Sequence, residues 1–207
     1  MELRNKRILI TAGPTWVAID RVRVISNIAS GETGILLAEG LSRIGAKVTL
    51  ILGPAGSGHS GEKIKVIRFK FFDELRQRIR KELNSKSYDL IIHSAAVSDF
   101  KPQTTVKGKL KSDRALELKL TALPKIVNDI RRLAPLARIV LFKLETGVSA
   151  GELIRRARRV LGGAPGDLVV ANTVEPHYQA YLVDKNRIYS KASSREELAS
   201  QLIAVLS

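Results

Sequence analysis

The sequence predicts an α/β fold: a Rossmann-like, doubly wound, mostly parallel sheet with an antiparallel extension. Three observations carry this. Compact apolar runs recur at 6–11, 47–52, 89–93, 138–142 and 167–171, as expected of strands covered on both faces. Between them lie stretches with helical apolar spacing, such as 33–44 and 72–83. The first strand, loop, helix and strand follow one another within 6–52, which is a βαβ unit, and such strands run parallel.

In chain order, Ile8-Leu9-Ile10 forms the first strand, and Gly13-Pro14 stops it. The helix over 33–44 places Ile35, Leu36, Leu37, Ala38, Leu41 and Ile44 at helical spacing, and Gly45 closes it. The strand over 47–52 leads into GPAGSGHSGE (53–62), a flexible loop by composition. A strand over 64–69 and a helix over 72–83 follow, the latter with Phe72, Leu75, Ile79 and Leu83 on one face. The strand over 89–93 ends in Ser94-Ala95-Ala96, small residues that let a ligand approach the backbone. Residues 97–113 break the rhythm: they are polar, lysine-rich and interrupted by Pro102 and Gly108, which suits a flexible flap over 100–113. The alternation in 116–120 predicts a strand. Pro124 fits the first position of a helix over 124–133. A strand over 138–142, a basic helix over 150–161 ended by Gly162-Gly163, and a strand over 167–171 come next. Runs at 180–183 and 187–189 flank Asp184-Lys185-Asn186 as a hairpin, and a helix over 196–206 closes the chain. The antiparallel extension is expected from 100–121 and 180–190. No internal repeat or linker interrupts 1–207, which reads as one domain.

Composition narrows the function. No window approaches the ~18 apolar residues of a membrane helix, and the start has no signal-peptide core, so a cytoplasmic protein is expected. The chain has no cysteine. The histidines His59, His93 and His177 have no metal-ligand spacing. A net charge of +15 attracts nucleic acid, membranes or small polyanions alike. With 5% aromatic residues and no RNA-binding motif, a nucleic-acid module is the lesser reading.

In folds of this class ligands bind outside the carboxyl ends of the strands. Four loops should therefore converge: 11–34, 93–111, 142–147 and 171–177. Ser30-Gly31-Glu32-Thr33-Gly34 opens a helix and suits an anion. Arg23 supplies a bidentate cation and Asn27 a donor and an acceptor. Asp99 lies just past a strand, as a turn former or as a partner for a ribose, a base or a magnesium ion. Lys109 and Lys111 stand in the flap, solvated or closing over a triphosphate, and Glu145 follows another strand end. An NAD(P)-dependent reductase is the rival. The G-x-G-x-x-G fingerprint is absent after the first strand, and Tyr181-x-x-x-Lys185 falls in a predicted strand and turn, not on one helix.

Taken in order, these pieces resemble phosphopantothenate–cysteine ligase, the phosphopantothenoylcysteine synthetase of coenzyme A biosynthesis. The resemblance rests on ILITAGPT, Ile19-Asp20-x-Val22-Arg23-x-Ile25-Ser26-Asn27, Ser30-Gly31-x-x-Gly34, Ala95-Ala96-Val97-Ser98-Asp99-Phe100, Lys109-Leu110-Lys111, Pro124-Lys125-Ile126-Val127, Phe142-x-x-Glu145-Thr146 and Asp167-Leu168-Val169-Val170-Ala171-Asn172. It implies that cysteine is joined to 4′-phosphopantothenate through an acyl-nucleotide, with CTP (or ATP) as co-substrate, Mg²⁺ present and pyrophosphate released. It implies that Asn27 and Lys109 are catalytic. Arg23, Ser30, Gly31 and Gly34 would bind substrate. Ser94, Ala95, Ala96, Asp99, Lys109, Pro124, Lys125, Ile126, Val127 and Phe142 would line the nucleotide site. A homodimer, and association with a phosphopantothenoylcysteine decarboxylase, belong to the same expectation. The sequence departs from the family at Trp16-Val17-Ala18, Lys143-Leu144 and Ser112, and Arg156 and Arg159 stand where lysines are usual.

Overall fold

Side chains alternate across a strand, and that decides how this chain is layered. In β1 (Arg7–Ala12), Ile8, Ile10 and Ala12 enter one apolar core, while Leu9 enters a second on the other face. A strand that is apolar on both faces must be covered on both. The computed structural model describes residues 2–54, 63–111, 115–164 and 166–207.

After β1 come two short strands, β2 (Trp16–Ala18) and β3 (Val24–Ser26), then α1 (Glu32–Arg43), β4 (Lys47–Leu52) and β5 (Lys65–Arg68). Helix α2 (Phe72–Ser85), β6 (Leu90–His93), β7 (Phe100–Pro102), β8 (Leu120–Ala122) and α3 (Ile126–Leu133) follow. The chain ends with β9 (Arg138–Leu144), α4 (Ala150–Gly163), β10 (Leu168–Thr173), β11 (Gln179–Val183), β12 (Ile188–Ala192) and α5 (Arg195–Leu206). The main sheet has the order β12-β11-β10-β9-β6-β1-β4-β5. Neighbours from β10 to β5 are parallel, and β11 and β12 add an antiparallel edge. Helices α1 and α5 cover one face, and α2, α3 and α4 the other. The order reverses between β1 and β6, so a crevice opens there at the carboxyl ends of the strands.

The structure agrees with the predicted doubly wound sheet and corrects several details. The 100–121 region does not extend the main sheet, because β7 and β8 pair with each other in a separate two-stranded sheet. Of the predicted 116–120 strand only Leu120 is in β8; Leu116 and Leu118 remain 58% and 37% exposed, so their alternation meets no core. Pro124 is not the first residue of α3: Lys125 stays extended as its N-cap (φ −74°, ψ 114°) and the helix starts at Ile126. Helix α4 continues through Gly162-Gly163 and stops at extended Ala164. Residues 55–62 of the glycine-rich loop, His59 among them, and 112–114 of the flap lie outside the described residues.

Candidate active site

The crevice is floored by backbone turns that sequence-distant loops lace together. Gly13 turns at φ +81°, and a Cβ there would stand 3.2 Å from the Gly53 nitrogen, so only glycine lets the two loops pass this closely. The Gly13 carbonyl accepts the Ala96 N–H at 3.0 Å, and Thr15 N–H donates to the Ala96 carbonyl at 3.2 Å. Buried Thr15 and Ser98 reinforce the seam: Ser98 N–H donates to Thr15 Oγ1 at 2.8 Å, and that hydroxyl donates to Ser98 Oγ at 2.9 Å.

Next to this seam, Ser94 Oγ donates to the Thr11 carbonyl at 2.7 Å. Thr11 Oγ1 receives the Ala95 N–H at 3.4 Å and lies 2.8 Å from His93 Nδ1. Burial pulls the His93 imidazole down to about 4, so it is neutral at physiological pH. A neutral ring accepts this hydroxyl at Nδ1 when its proton is on Nε2 and donates to it in the other tautomer. His93 is thus tied to Thr11 within this seam.

Helix α1 points its amino end at the same place. Its N-cap, Gly31, is left-handed (φ 74°) and brings no side chain of its own to the helix end. Its initial N–H groups form the kind of terminus that suits an anion. Ser30 Oγ accepts the Glu32 N–H at 3.3 Å. Gly34 is buried, and a Cβ on it would fall 2.4 Å from Ala12 Cβ and 3.0 Å from Ser94 Oγ. Its missing side chain therefore serves helix–strand packing, and only its backbone can reach a ligand.

Asn27 bridges the two sides of the crevice. Its Nδ2 donates to the Ala96 carbonyl at 3.0 Å and to the Val97 carbonyl at 3.2 Å. Both donors point into protein, which aims Oδ1 the other way. Arg23 is engaged as well: its Nη1 donates to Asp20 Oδ2 at 2.6 Å and to the Leu110 carbonyl at 3.2 Å. Asp99 and Lys125 form an exposed ion pair at 2.6 Å. Ile126 is 2% exposed and Val127 packs on the same core, so at these two positions the side chains turn inward and only the backbone could meet a ligand. Phe142 lies partly buried against the other core. Lys109 is exposed.

A basic pocket of about 480 Å³ adjoins the carboxyl end of β9, lined by Lys143, Glu145, Glu152, Arg155, Arg156 and Arg159 among others. Glu145 is held below the usual carboxylate range by its hydrogen bond from Lys143 and then by Arg156, at 2.9 and 2.6 Å. Arg156 also reaches Glu152 at 2.6 Å. Among the described residues no three His, Asp or Glu side chains converge on a metal position. Tyr181 is on β11, its hydroxyl donating to Gln179, and Lys185 is in the following turn, so no helix face carries the reductase pair.

A model of the DNA/pantothenate metabolism flavoprotein C-terminal domain family matches residues 3–204. The chain belongs to this family. Coenzyme A biosynthesis bifunctional protein CoaBC of Thermococcus kodakarensis is 40% identical over 173 residues, covering 84% of this chain and 42% of that protein. The protein of the same name from Methanocaldococcus jannaschii is 31% identical over 210 residues, covering 98% of this chain and 51% of its own length. The chain thus spans about half the length of the curated relatives it matches. The DNA/pantothenate metabolism flavoprotein of Streptococcus pneumoniae superposes with a TM-score of 0.86 at 26% identity, covering 97% of this chain and 98% of that one.

Two features of this chain escape a reading by sequence pattern. One is the hairpin β2–β3, whose three-residue strands are too short to show a period. The other is Asp20, which accepts the Val22 and Arg23 N–H groups at 2.7 Å each. That is an Asx turn, and Asp-Arg-Val-Arg is its available signal.

Proposed function

We propose that this chain joins cysteine to 4′-phosphopantothenate through an acyl-nucleotide, releasing pyrophosphate, as a step of coenzyme A synthesis. Membership of the family and its coenzyme A relatives support the substrate class. The observation that carries the reading is the clasp of Asn27 on the Ala96 and Val97 carbonyls, at 3.0 and 3.2 Å. It holds the anion-attracting 23–34 loop against the turn after β6, so a phosphorylated acid and a nucleotide can meet.

On this reading Arg23, Ser30 and the backbone of Gly31 and Gly34 hold the phosphorylated acid. Ser94, Ala95, Ala96, Asp99, Pro124, Lys125, Ile126, Val127 and Phe142 line the nucleotide site. Lys143, Arg156 and Arg159 add positive charge on the triphosphate side. In the first step the pantothenate carboxylate attacks the α-phosphorus; a P–O bond forms and pyrophosphate leaves. In the second the cysteine amine attacks the acyl carbon; a C–N bond forms, the nucleoside monophosphate leaves, and the amine loses a proton. Both steps bring anions together, so fixed donors and cations lower the barrier. Lys109 neutralises charge on the departing pyrophosphate, and Asn27 Oδ1 and its neighbours orient the acyl-nucleotide. The carboxylates Asp99 and Glu145 are already engaged by Lys125 and by Lys143 and Arg156. Among the described residues there is therefore no ready carboxylate cage for Mg²⁺, which would be held mainly by phosphate oxygens.

CTP is the expected nucleotide. Homodimerisation fits the exposed apolar Val22 and Ile28 beside the site, at 66% and 105%. A decarboxylase acting on the product is the expected associate. The deciding experiment incubates purified protein with 4′-phosphopantothenate, cysteine, Mg²⁺ and either CTP or ATP. Pyrophosphate and phosphopantothenoylcysteine should both form, faster with CTP; if neither nucleotide supports either product, the proposal is wrong.

A further inference from the structure

Asp20 has no part in the ligation as proposed, yet its side chain is fully buried beside the crevice and saturated with donors. Oδ1 accepts the Val22 and Arg23 N–H groups at 2.7 Å each. Oδ2 accepts Arg23 Nη1 at 2.6 Å and the N–H of Leu110 at 2.9 Å. The bond from Leu110, first among its causes, holds the Asp20 carboxyl far below the ordinary range, so it remains an anion. Three of these donors belong to its own turn. The fourth arrives from the lysine-bearing segment ninety positions along the chain.

The backbone repeats the connection. Val106 N–H donates to the Ile19 carbonyl at 3.2 Å, and Arg21 N–H donates to the Gly108 carbonyl at 3.3 Å. Arg23 Nη1 reaches the Leu110 carbonyl at 3.2 Å. Lys107 and Lys109 themselves are exposed, and Val106 is 40% exposed, so the core supplies little to hold this stretch. Polar bonds to the Asp20 turn fix its place, and the ionised carboxylate forms the strong ones. Among the described residues Arg23 uses only Nη1 here, which leaves its other N–H groups for a ligand.

We propose that Asp20 is a positioning residue: it latches the 105–111 segment to the Arg23 turn and so sets where Lys109 stands at the crevice. The consequence for Lys109 rests on the ligase reading; the latch itself does not. The variant Asp20→Asn separates the latch from the turn. An asparagine still accepts at Oδ1 and keeps the Asx turn, but its amide would set a donor against the Leu110 N–H and Arg23 Nη1.

The test is hydrogen exchange of the full chain without ligand, read by mass spectrometry on peptides covering 105–111 and 19–26. In Asp20→Asn the 105–111 amides should exchange about tenfold faster, with the Arg21 amide that donates to Gly108 released alongside and the rest of 19–26 and the main sheet unchanged, because local opening follows the bonds that are lost. In Leu110→Pro, which removes the donor and leaves Asp20 intact, the rest of the segment should be released likewise; this variant decides the matter if Asp20→Asn does not fold. Unchanged exchange in 105–111 overturns the latch, whether or not the protein proves to be a ligase. Steady-state kinetics with CTP then test the consequence: the KM for CTP should rise about tenfold in Asp20→Asn while that for cysteine stays within about twofold. A released segment with an unchanged KM for CTP overturns the role assigned through Lys109.

Discussion

Asn27 is exposed, yet its amide makes two bonds to carbonyls of another loop. An exposed side chain that bridges two loops is placed for a ligand more than for stability. Asn27→Ala should therefore change the unfolding midpoint little and lower kcat about a hundredfold, the usual scale for losing one preorganised polar contact. Nucleotide affinity, measured by calorimetry, should stay within about twofold; an unchanged kcat would remove Asn27 from the chemistry. His93, half-buried at the end of β6, illustrates a titratable group engaged within the seam. Its imidazole is lowered to about 4 by burial, against ~6.5 in an unfolded chain. Both states are uncharged above that upper value, so the stability contribution is full there. Between the two values the unfolded chain takes up a proton that the native state refuses, so stability falls by about 1.4 kcal/mol per pH unit as pH decreases. Urea unfolding at about pH 7 and about pH 4.5 should show a smaller acid loss in His93→Asn than in the wild type. Equal losses would mean that His93 is not held neutral.

At the scale of elements, α1 meets β1 through a missing side chain. A methyl group on Gly34 would lie 2.4 Å from Ala12 Cβ, so the amino end of α1 would have to move off the crevice. Gly34→Ala should cost about 1–3 kcal/mol despite the better helix propensity of alanine, and should raise the KM for phosphopantothenate more than that for CTP. A stabilised variant in thermal unfolding would show that the helix has room to shift. Most elements could be read from the sequence because their burial imposes a period: Ile8, Leu9 and Ile10 on β1, and Phe72, Leu75, Ile79 and Leu83 on α2, are all buried. What could not be read depends on partners remote in sequence. Strands β2 and β3 have three residues each and exist through pairing with one another and through bonds such as Trp16 N–H to the Lys70 carbonyl. Asp184 and Asp20 form the same turn, each accepting the N–H groups two and three residues on. The turn at Asp184 is flanked by five-residue strands, the first of them mostly buried, and declares itself as a hairpin. Asp20 lies between short strands, and its decisive fourth partner, Leu110, is visible only in three dimensions. The candidate site divides likewise: the loops at the strand ends follow from the fold class, whereas the Asn27 clasp and the pairing of Asp99 with Lys125 do not follow from residue type.

Over the whole molecule the charge of +15 is not aimed at one place. At the carboxyl edge of the sheet, Lys143, Arg155, Arg156 and Arg159 surround Glu145 and Glu152. At the amino edge, Arg7, Arg43, Lys47, Lys63, Lys65 and Lys86 line a cavity of about 740 Å³. Helices α1 and α2 end near that second group, and cations there are stabilised by the carbonyls of helix carboxyl ends. Arg43 in the last turn of α1 thus has a structural cause that needs no ligand, and Lys65 and Lys86 pair with Glu82, while the carboxyl-edge cluster stands at the strand ends where the proposed substrates would bind. The two can be separated by salt. Raising ionic strength from about 0.05 to about 0.3 M shortens the reach of surface charge to under ~6 Å, so kcat/KM for CTP should fall about tenfold, whereas that for cysteine, a zwitterion, should change less than about twofold. The double variant Lys47→Gln with Lys63→Gln should keep this salt slope, because its charges stand at the far edge. Arg159→Gln should flatten it, since Arg159 belongs to the carboxyl-edge group. If the amino-edge variant flattens the slope as much, the field acts as one undirected cloud, and the placement of cations beside β9 contributes no specific attraction.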